Sequence, residues 1–300
     1  MTTTDRTVDR VNKSFGPGSI QRMDADPDPV PFIPTGVPSV DTALGIGGLP
    51  AGRVVEIFGP RGAGATTLAL HAIATALRND MTTAIIDIAH DLDPQRAAGV
   101  GIDMPRLLVS QPDSGEQALE IADVLVSSGA VGLVVVDDVP GLVPRSIIEG
   151  DGYGDADVGI RARLMSRAMR KLTASAASTG TTVVFVNTTY PRTGATFGGP
   201  EDTVGSQALK FYSSVRIKMR RIGPLRSFGA VVGQRSRVEV VKNKLAPPFR
   251  AAEPYLVFGH GLRDACGCNE GPAPNSGDVI CSSCGGVTWG AINIPDEVVK

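Results

Sequence analysis

Two periods of apolar residues alternate along most of the chain. Residues 53–58, 83–87, 106–110 and 132–137 are short runs dominated by Val, Ile, Leu and Phe, continuous rather than alternating, as in strands buried on both faces. Residues 68–77, 93–98 and 116–127 place apolar side chains at helical spacing instead. Strand and helix in turn predict a mostly parallel sheet covered on both faces, a doubly wound α/β core. Before it, residues 7–14 predict a short helix. Residues 24–34 carry Pro27, Pro29, Pro31 and Pro34, which remove donors and hold their neighbours extended, so this stretch reads as a linker. Residues 39–44 predict a further helix, with Ser39 as the favoured N-cap and Thr35 as the weaker one.

Composition narrows the class. Three hundred residues with 42% hydrophobic and 20% charged content suit one large α/β domain with small appendages. No run of eighteen uncharged apolar residues occurs, and residues 1–13 carry no apolar signal region; the expectation is a cytoplasmic chain with no membrane span. A net charge of −2 excludes a uniformly basic coat, so any contact with nucleic acid must come from local clusters. One Trp and four Tyr also limit base stacking.

Residues 59–67 read Gly-Pro-Arg-Gly-Ala-Gly-Ala-Thr-Thr, the phosphate-loop pattern G-x-x-x-x-G-K-[ST] with Ala65 in the lysine position. The loop lies between a predicted strand and a predicted helix. Its amides, with Gly59, Gly62 and Gly64 allowing close approach, suit an anionic phosphate, Thr66 offers a hydroxyl to Mg²⁺, and Thr67 follows as a further nucleotide-binding residue. The ammonium that neutralises charge during phosphoryl transfer is missing. Residues 134–138, Val-Val-Val-Asp-Asp, end a buried strand in acid about 70 residues later, which suits Asp137 for holding Mg²⁺ or its water shell.

Several ordered segments then carry a resemblance to the bacterial RecA recombinase family. They are Phe15-Gly-Pro-Gly-Ser-Ile-Gln-Arg22, Ala43-Leu-Gly-Ile-Gly-Gly-Leu-Pro50, residues 107–120, Ala162-Arg-Leu-Met-Ser166, Ala208-Leu-Lys-Phe-Tyr-Ser-Ser-Val-Arg216 and Val241-Lys-Asn-Lys-Leu-Ala-Pro-Pro-Phe249. The resemblance spans residues 13–263. It implies a RecA-like core that holds ATP with Mg²⁺ on the phosphate loop, with Asp93 and Arg96 beside the adenine and Lys242 and Lys244 reaching the γ-phosphate across a subunit interface. A guanidinium at Arg96 then replaces the usual aromatic partner. It also marks three losses: lysine at Ala65, the water-polarising glutamate at Ala89, and the phosphate-sensing glutamine at Thr188, after Asn187. Arg61 within the loop is a candidate replacement cation or a solvated side chain; His90, Asp87 and Asp91 are candidate bases without support from spacing. Catalysis is therefore assigned to no residue, and ATP binding with weak or absent hydrolysis is expected.

The same resemblance implies binding of single- and double-stranded DNA and self-association into helical filaments, alone or mixed with an active recombinase. DNA-binding loops are expected near residues 149–160 and 187–207, with Val158, Thr193, Phe197 and Gly205 as contacts. Arg163, Arg167, Arg170 and Lys171, following Arg161, fall on one side of a helix, as a backbone-tracking stripe or as a solvated basic face. The alternative to a weak ATPase is an active DNA-dependent ATPase and strand-exchange enzyme with its missing groups supplied in trans.

All four cysteines lie near the C-terminus, where the chain departs from the resemblance. Cys266 and Cys268 form a C-x-C pair, Cys281 and Cys284 a C-x-x-C pair. Four thiolates at these spacings suit a zinc-ribbon-like Zn²⁺ site, with two disulfides as the alternative. His260 reads as a turn residue. The expected organisation is residues 1–34 as an N-terminal helix and linker that docks on a neighbouring subunit, 35–263 as the ATP- and DNA-binding core, and 264–300 as the cysteine tail.

Overall fold

A computed structural model describes residues 2–22, 29–150, 156–191, 201–205, 207–227, 229–265, 286 and 287. The chain divides into two units, Met1–Pro31 and Phe32–Lys300. The first holds α1 (Thr3–Phe15). Its predicted start moves four residues toward the N-terminus because Thr2 accepts the Asp5 N–H while the Asp5 carboxylate accepts the Thr2 N–H, a reciprocal cap. Asn12 then ties to both backbone groups of Ile20 at 3.0 Å.

The second unit begins inside the predicted linker. There β1 (Phe32–Ile33) is followed by α2 (Pro38–Leu44) and pairs with β2 (Leu49–Pro50). The cap expected for α2 is corrected. Val37 is its N-cap and makes no side-chain capping bond, because Pro38 takes the first helical position. Ser39 lies inside the helix, where its N–H and hydroxyl both donate to the Asp264 carboxylate. An acid 225 residues away thus serves the helix terminus that local sequence leaves bare.

The predicted alternation follows: β3 (Val54–Gly59), α3 (Ala65–Arg78), β4 (Thr83–Asp87), α4 (Pro94–Val100), β5 (Leu107–Ser110), α5 (Gly115–Ser127) and β6 (Leu133–Asp137). Next come α6 (Arg145–Ile148), α7 (Ala156–Thr179), β7 (Thr182–Pro191), β8 (Glu201–Thr203) and α8 (Gln207–Tyr212). A long hairpin of β9 (Val215–Ser227) and β10 (Ala230–Asn243) leads to β11 (Ala251–Ala252), β12 (Tyr255–Val257) and β13 (Gly261–Arg263). The main sheet runs β13-β12-β10-β9-β3-β7-β6-β4-β5; it is parallel from β9 to β5 and antiparallel from β9 to β13.

Side-chain alternation splits the core into two layers. Val55, Ile57, Ile85 and Val135 face α2, α3 and α4, while Val54, Ile86, Val134 and Val136 face α5 and α7. Because parallel strands must be covered on both sides, every one of these positions is apolar, which is why the runs appear continuous in sequence. The C-terminal ends of β3, β6 and β7 open together on one edge, where residues 59–67, Asp137 and Asn187 collect.

One buried histidine locks the phosphate-loop helix to the far end of the sheet. His71 on α3 is 4% exposed and its Nε2 accepts the Leu262 N–H at 2.7 Å. A Cβ at Gly261 would stand 2.4 Å from that nitrogen, so this turn, with φ of +79°, requires glycine. Burial, with Arg263 and Arg78 adding to it, pulls the imidazole down to about 4. The unfolded chain therefore takes up this proton first as pH falls. We expect the wild type to lose stability relative to His71→Gln between pH 6.5 and about 4, by about 1.4 kcal/mol per pH unit, with no change in the difference above pH 6.5. Urea unfolding of both chains across that range checks it, and a constant difference would count against this role.

Candidate nucleotide site

The turn from β3 into α3 forms the wall of a cavity of about 430 Å³. Gly59 cannot be larger, since a Cβ there would stand 2.2 Å from the Met219 carbonyl oxygen on β9. Gly62 and Gly64 adopt φ of +77° and +103°, a conformation that side chains disfavour. The loop is further held by the Ala63 N–H on the Pro60 carbonyl at 3.0 Å and by Gln234, whose amide donates to the Gly62 carbonyl at 2.8 Å. Gly64 caps α3 without a side-chain bond, so the first amides of a fourteen-residue helix face the cavity with no competing group among the described residues.

The acids sit opposite. Thr66 donates to Asp137 Oδ1 at 3.4 Å, bringing the two predicted Mg²⁺ groups together. Asp137 is 6% exposed, and burial pushes its carboxyl up to about 7, with Asp138, Asp91 and Asp87 adding repulsion. A cation in the cavity favours the ionised form. Asp138 beside it is also raised by burial, while its Oδ1 accepts the Gly141 N–H at 3.0 Å. Asp87 is spoken for by the Asp91 and Leu92 amides at 3.2 Å and the Gln111 side chain at 2.9 Å. It is a buried anchor of the following loop rather than a base. Asp91 lines the cavity, and His90 is not among its lining residues.

The cavity gathers Gly59, Gly62, Gly64, Ala65, Thr66, Thr67, Ala89, Arg96, Asp137, Asn187 and Thr188 from the expected set. It does not gather three others. Asp93 uses its carboxylate to accept the Gln95 N–H as N-cap of α4. Lys242 donates from Nζ to the Lys210 and Phe211 carbonyls at 2.7 and 3.0 Å, satisfying the end of α8. Lys244 is exposed beyond β10. Sequence reasoning missed Phe258 and Gly259, in the turn between β12 and β13, which complete the cavity rim. Phe258 is 56% exposed; an exposed aromatic before a glycine is the one local signal that marks it. His260 lies in the same turn, its N–H donating to Val257.

Behind the cavity, Glu56 is fully buried on β3. It accepts Asn187 Nδ2 at 2.8 Å and Arg216 Nε at 2.5 Å, and the guanidinium lies 4.5 Å above the Phe58 ring. Asn187 also donates to the Val204 carbonyl at 2.8 Å, and Val204 donates to Thr188. The cavity wall is thereby linked to β8, which pairs with β7 at Thr189–Thr203.

On the other side of the sheet, Arg163, Arg167 and Arg170 are exposed along one face of α7, together lining a shallow groove with Lys171. Lys171 pairs with Asp123 at 3.2 Å and Arg161 donates to the Pro140 carbonyl. Two expected loops are shorter than foreseen: residues 156–160 are already helix α7, and residues 187–191 and 201–203 are strand. At Gly205, with φ of +95°, a Cβ would stand 3.1 Å from Val139 Cγ1. Thr193, Phe197, the side chain of Val158 and the four cysteines lie outside the described residues. Among the described residues no cluster of His, Cys, Asp and Glu suited to a metal ion occurs, and no helix is long and apolar enough to cross a membrane.

A glycine loop between a central strand and its helix, with an acid ending the strand two places away across β7, defines an α/β protein of the P-loop class. The model of the RecA N-terminal domain matches residues 2–263, and the chain belongs to the RecA family of recombination proteins. It is 53% identical over 259 residues to Protein RecA of Frankia alni, covering 86% of this chain and 75% of that one. With Protein RecA of Mycobacteroides abscessus it shares 54% over 254 residues, 84% and 73% of the two chains. The solved structure of the RadB recombinase has a TM-score of 0.59 at 18% identity, covering 78% of this chain and all of that one; that likeness concerns the fold.

Proposed function

We propose that this chain is a RecA-family protein that binds ATP with Mg²⁺ and single-stranded DNA and assembles into filaments, while hydrolysing ATP weakly or not at all. One observation carries the reading: Ala65 stands at the first residue of α3 inside an otherwise complete phosphate loop. Amides, glycines, Thr66 and Asp137 are present for binding. Thr66 and Asp137 would hold Mg²⁺, which would screen the phosphate charge. The lysine that stabilises the transferring phosphoryl group and the glutamate that orients water are absent at Ala65 and Ala89, so the ground state is held better than the transition state.

Adenine recognition falls to Arg96 and Phe258, one on each wall-forming segment of the same cavity, through stacking of a guanidinium and a ring. Residues 1–34, 35–263 and 264–300 serve as docking segment, core and tail in this reading. Lys242 and Lys244 act on a neighbouring subunit rather than on the cavity of their own chain, which their positions at the end of β10 support. Mixed filaments with an active recombinase follow, since a subunit that holds ATP without turnover stabilises its neighbours.

DNA binding rests on Arg163, Arg167 and Arg170, which make no ion pair among the described residues. Double-stranded DNA engages the same filament. We expect the logarithm of single-strand affinity to fall with the logarithm of salt, and Arg163→Ala with Arg170→Ala to reduce that slope by about 0.7 per arginine. Fluorescence anisotropy with a labelled oligonucleotide over a salt series measures it; an unchanged slope would assign the stripe to solubility.

For the tail, Zn²⁺ on Cys266, Cys268, Cys281 and Cys284 is part of the proposal. Ala265 bridges Val287, and Val287 is fully buried against Leu225 and Val257, which closes the ends of the cysteine segment on each other and supports a shared ion. Elemental analysis is expected to give one zinc per chain, lost in Cys281→Ser; zinc-free protein with oxidised cysteines would establish the disulfide alternative.

A DNA-stimulated phosphate-release assay beside ATP titration tests the main reading. Saturable binding with negligible turnover supports it. Brisk turnover abolished by Lys242→Ala would establish the active-enzyme alternative.

A further inference from the structure

We infer that Arg61 is the cation that holds the nucleotide's outer phosphates, in place of the side chain missing at position 65. The inference rests on the nucleotide-binding reading and concerns how this particular site meets the charge of its ligand. The side chains lining the cavity include three acids, Asp91, Asp137 and Asp138, against two cations, Arg61 and Arg96. A triphosphate adds about four further negative charges at neutral pH, and one Mg²⁺ offsets only two. Without a cation near the loop, repulsion from Asp137 and Asp138 opposes binding. Arg96 cannot serve both ends of the ligand, because it lies on α4, on the segment that follows β4, while the amides for phosphate lie at the start of α3.

Arg61 is placed to do it. It lies between Pro60 and Gly62 at the turn of the loop, lines the phosphate cavity, and also lines an adjoining cavity of about 620 Å³ with Glu201, Arg220, Arg221 and Gln234. The Asp138 carboxyl lines the same cavity, so its charge and that of Arg61 share one space. Arg61 is exposed and makes no hydrogen bond or ion pair among the described residues, so no protein contact must break for it to turn toward phosphate. Gly62 beside it, at φ of +77° with open space where a Cβ would stand, leaves that turn unobstructed. The loop itself is held from behind by Gln234, so the arginine moves on a fixed base. Guanidinium also suits the task chemically, since its fork of N–H donors matches two phosphate oxygens at once.

The arrangement has a consequence for turnover. A guanidinium entering from the loop's outer turn meets the terminal phosphate from a different side than an ammonium rising from the first helical residue. It supports the bound triphosphate without the contact that follows the phosphoryl group as it transfers. Arg61 is thus a binding residue that compensates in affinity and not in rate.

The test is calorimetric titration of the full chain with adenosine, ADP and ATP in Mg²⁺, comparing wild type, Arg61→Ala, Arg61→Lys and Arg61→Ala with Ala65→Lys. Arg61→Ala is expected to weaken ADP and ATP by about ten- to hundredfold while leaving adenosine unchanged. Arg61→Lys recovers part of the loss, and the added lysine at position 65 recovers most of it. Arg61 is exposed, so the variant should fold, and its thermal melt is checked against wild type. ATP affinity unchanged in Arg61→Ala, or an equal loss for adenosine and ATP, overturns the inference while the binding reading stands. A wild type that binds none of the three overturns both.

Discussion

Introducing Ala65→Lys together with Ala89→Glu is expected to raise DNA-stimulated ATP hydrolysis by about 10³-fold over wild type. Both positions line the phosphate cavity and both are open enough to receive a longer side chain. The lysine restores a charge that strengthens toward the transition state, an effect of about 10²- to 10³-fold; the glutamate restores a base, about 10²- to 10⁴-fold. The two act on one step, so their effects overlap and the combined gain is below the product. Either change alone should recover far less. Steady-state phosphate release with saturating single-stranded DNA measures all four chains. No gain in the double variant would mean that the defect lies elsewhere, with Thr188 the first place to look, since it lines the same cavity and accepts the Val204 N–H that ties it to β8.

The second large effect concerns Arg216. Glu56 is fully buried and carries its charge against Arg216, itself only 16% exposed by side chain. Among the described residues Arg216→Ala leaves that carboxylate with Asn187 as its hydrogen-bond partner, and we expect a loss of about 3 to 5 kcal/mol in unfolding free energy. Urea denaturation checks it. A paired change, Glu56→Gln with Arg216→Met, should restore most of the stability, because the cost comes from an orphaned charge rather than from a lost attraction. A double variant as unstable as Arg216→Ala would contradict this account. DNA binding in the paired variant is then informative, since Asn187 connects the same pair to Val204 and β8.

Much of the fold is readable from the chain because its strands are buried on both faces. Residues 83–87 and 133–137 have no polar alternation to blur their ends, and β4 and β6 fall where their apolar runs do. Helix α5 likewise follows its apolar spacing. The N-terminus of α2 was not readable, because the group that serves it, Asp264, comes from the far end of the second unit and no local window contains it. Phe258 escaped for the same reason: sheet order places β12 beside β10 and so brings the turn after it to the phosphate loop, nearly two hundred residues upstream.

The site was readable in parts that differ in kind. Gly59, Gly62, Gly64, Thr66 and Asp137 announce themselves because backbone geometry and a strand-end acid have fixed spacing to a loop. Asp93 did not, since an aspartate before Pro94 is equally a helix cap, and capping is what its carboxylate does. Lys242 is similar: a long basic side chain near a helix end is drawn to that end's carbonyls, and it does not line its own chain's cavity. Arg61 carries no pattern that separates a ligand from a solvated side chain, and only its place on two cavity walls distinguishes them.

The most direct test is to incubate the purified chain with ATP, Mg²⁺ and single-stranded DNA for several hours, isolate the complex, and identify the nucleotide it retains by chromatography. The account predicts a near-stoichiometric yield of intact ATP. Recovery of ADP with matching phosphate in solution, or of protein carrying no nucleotide, would contradict it.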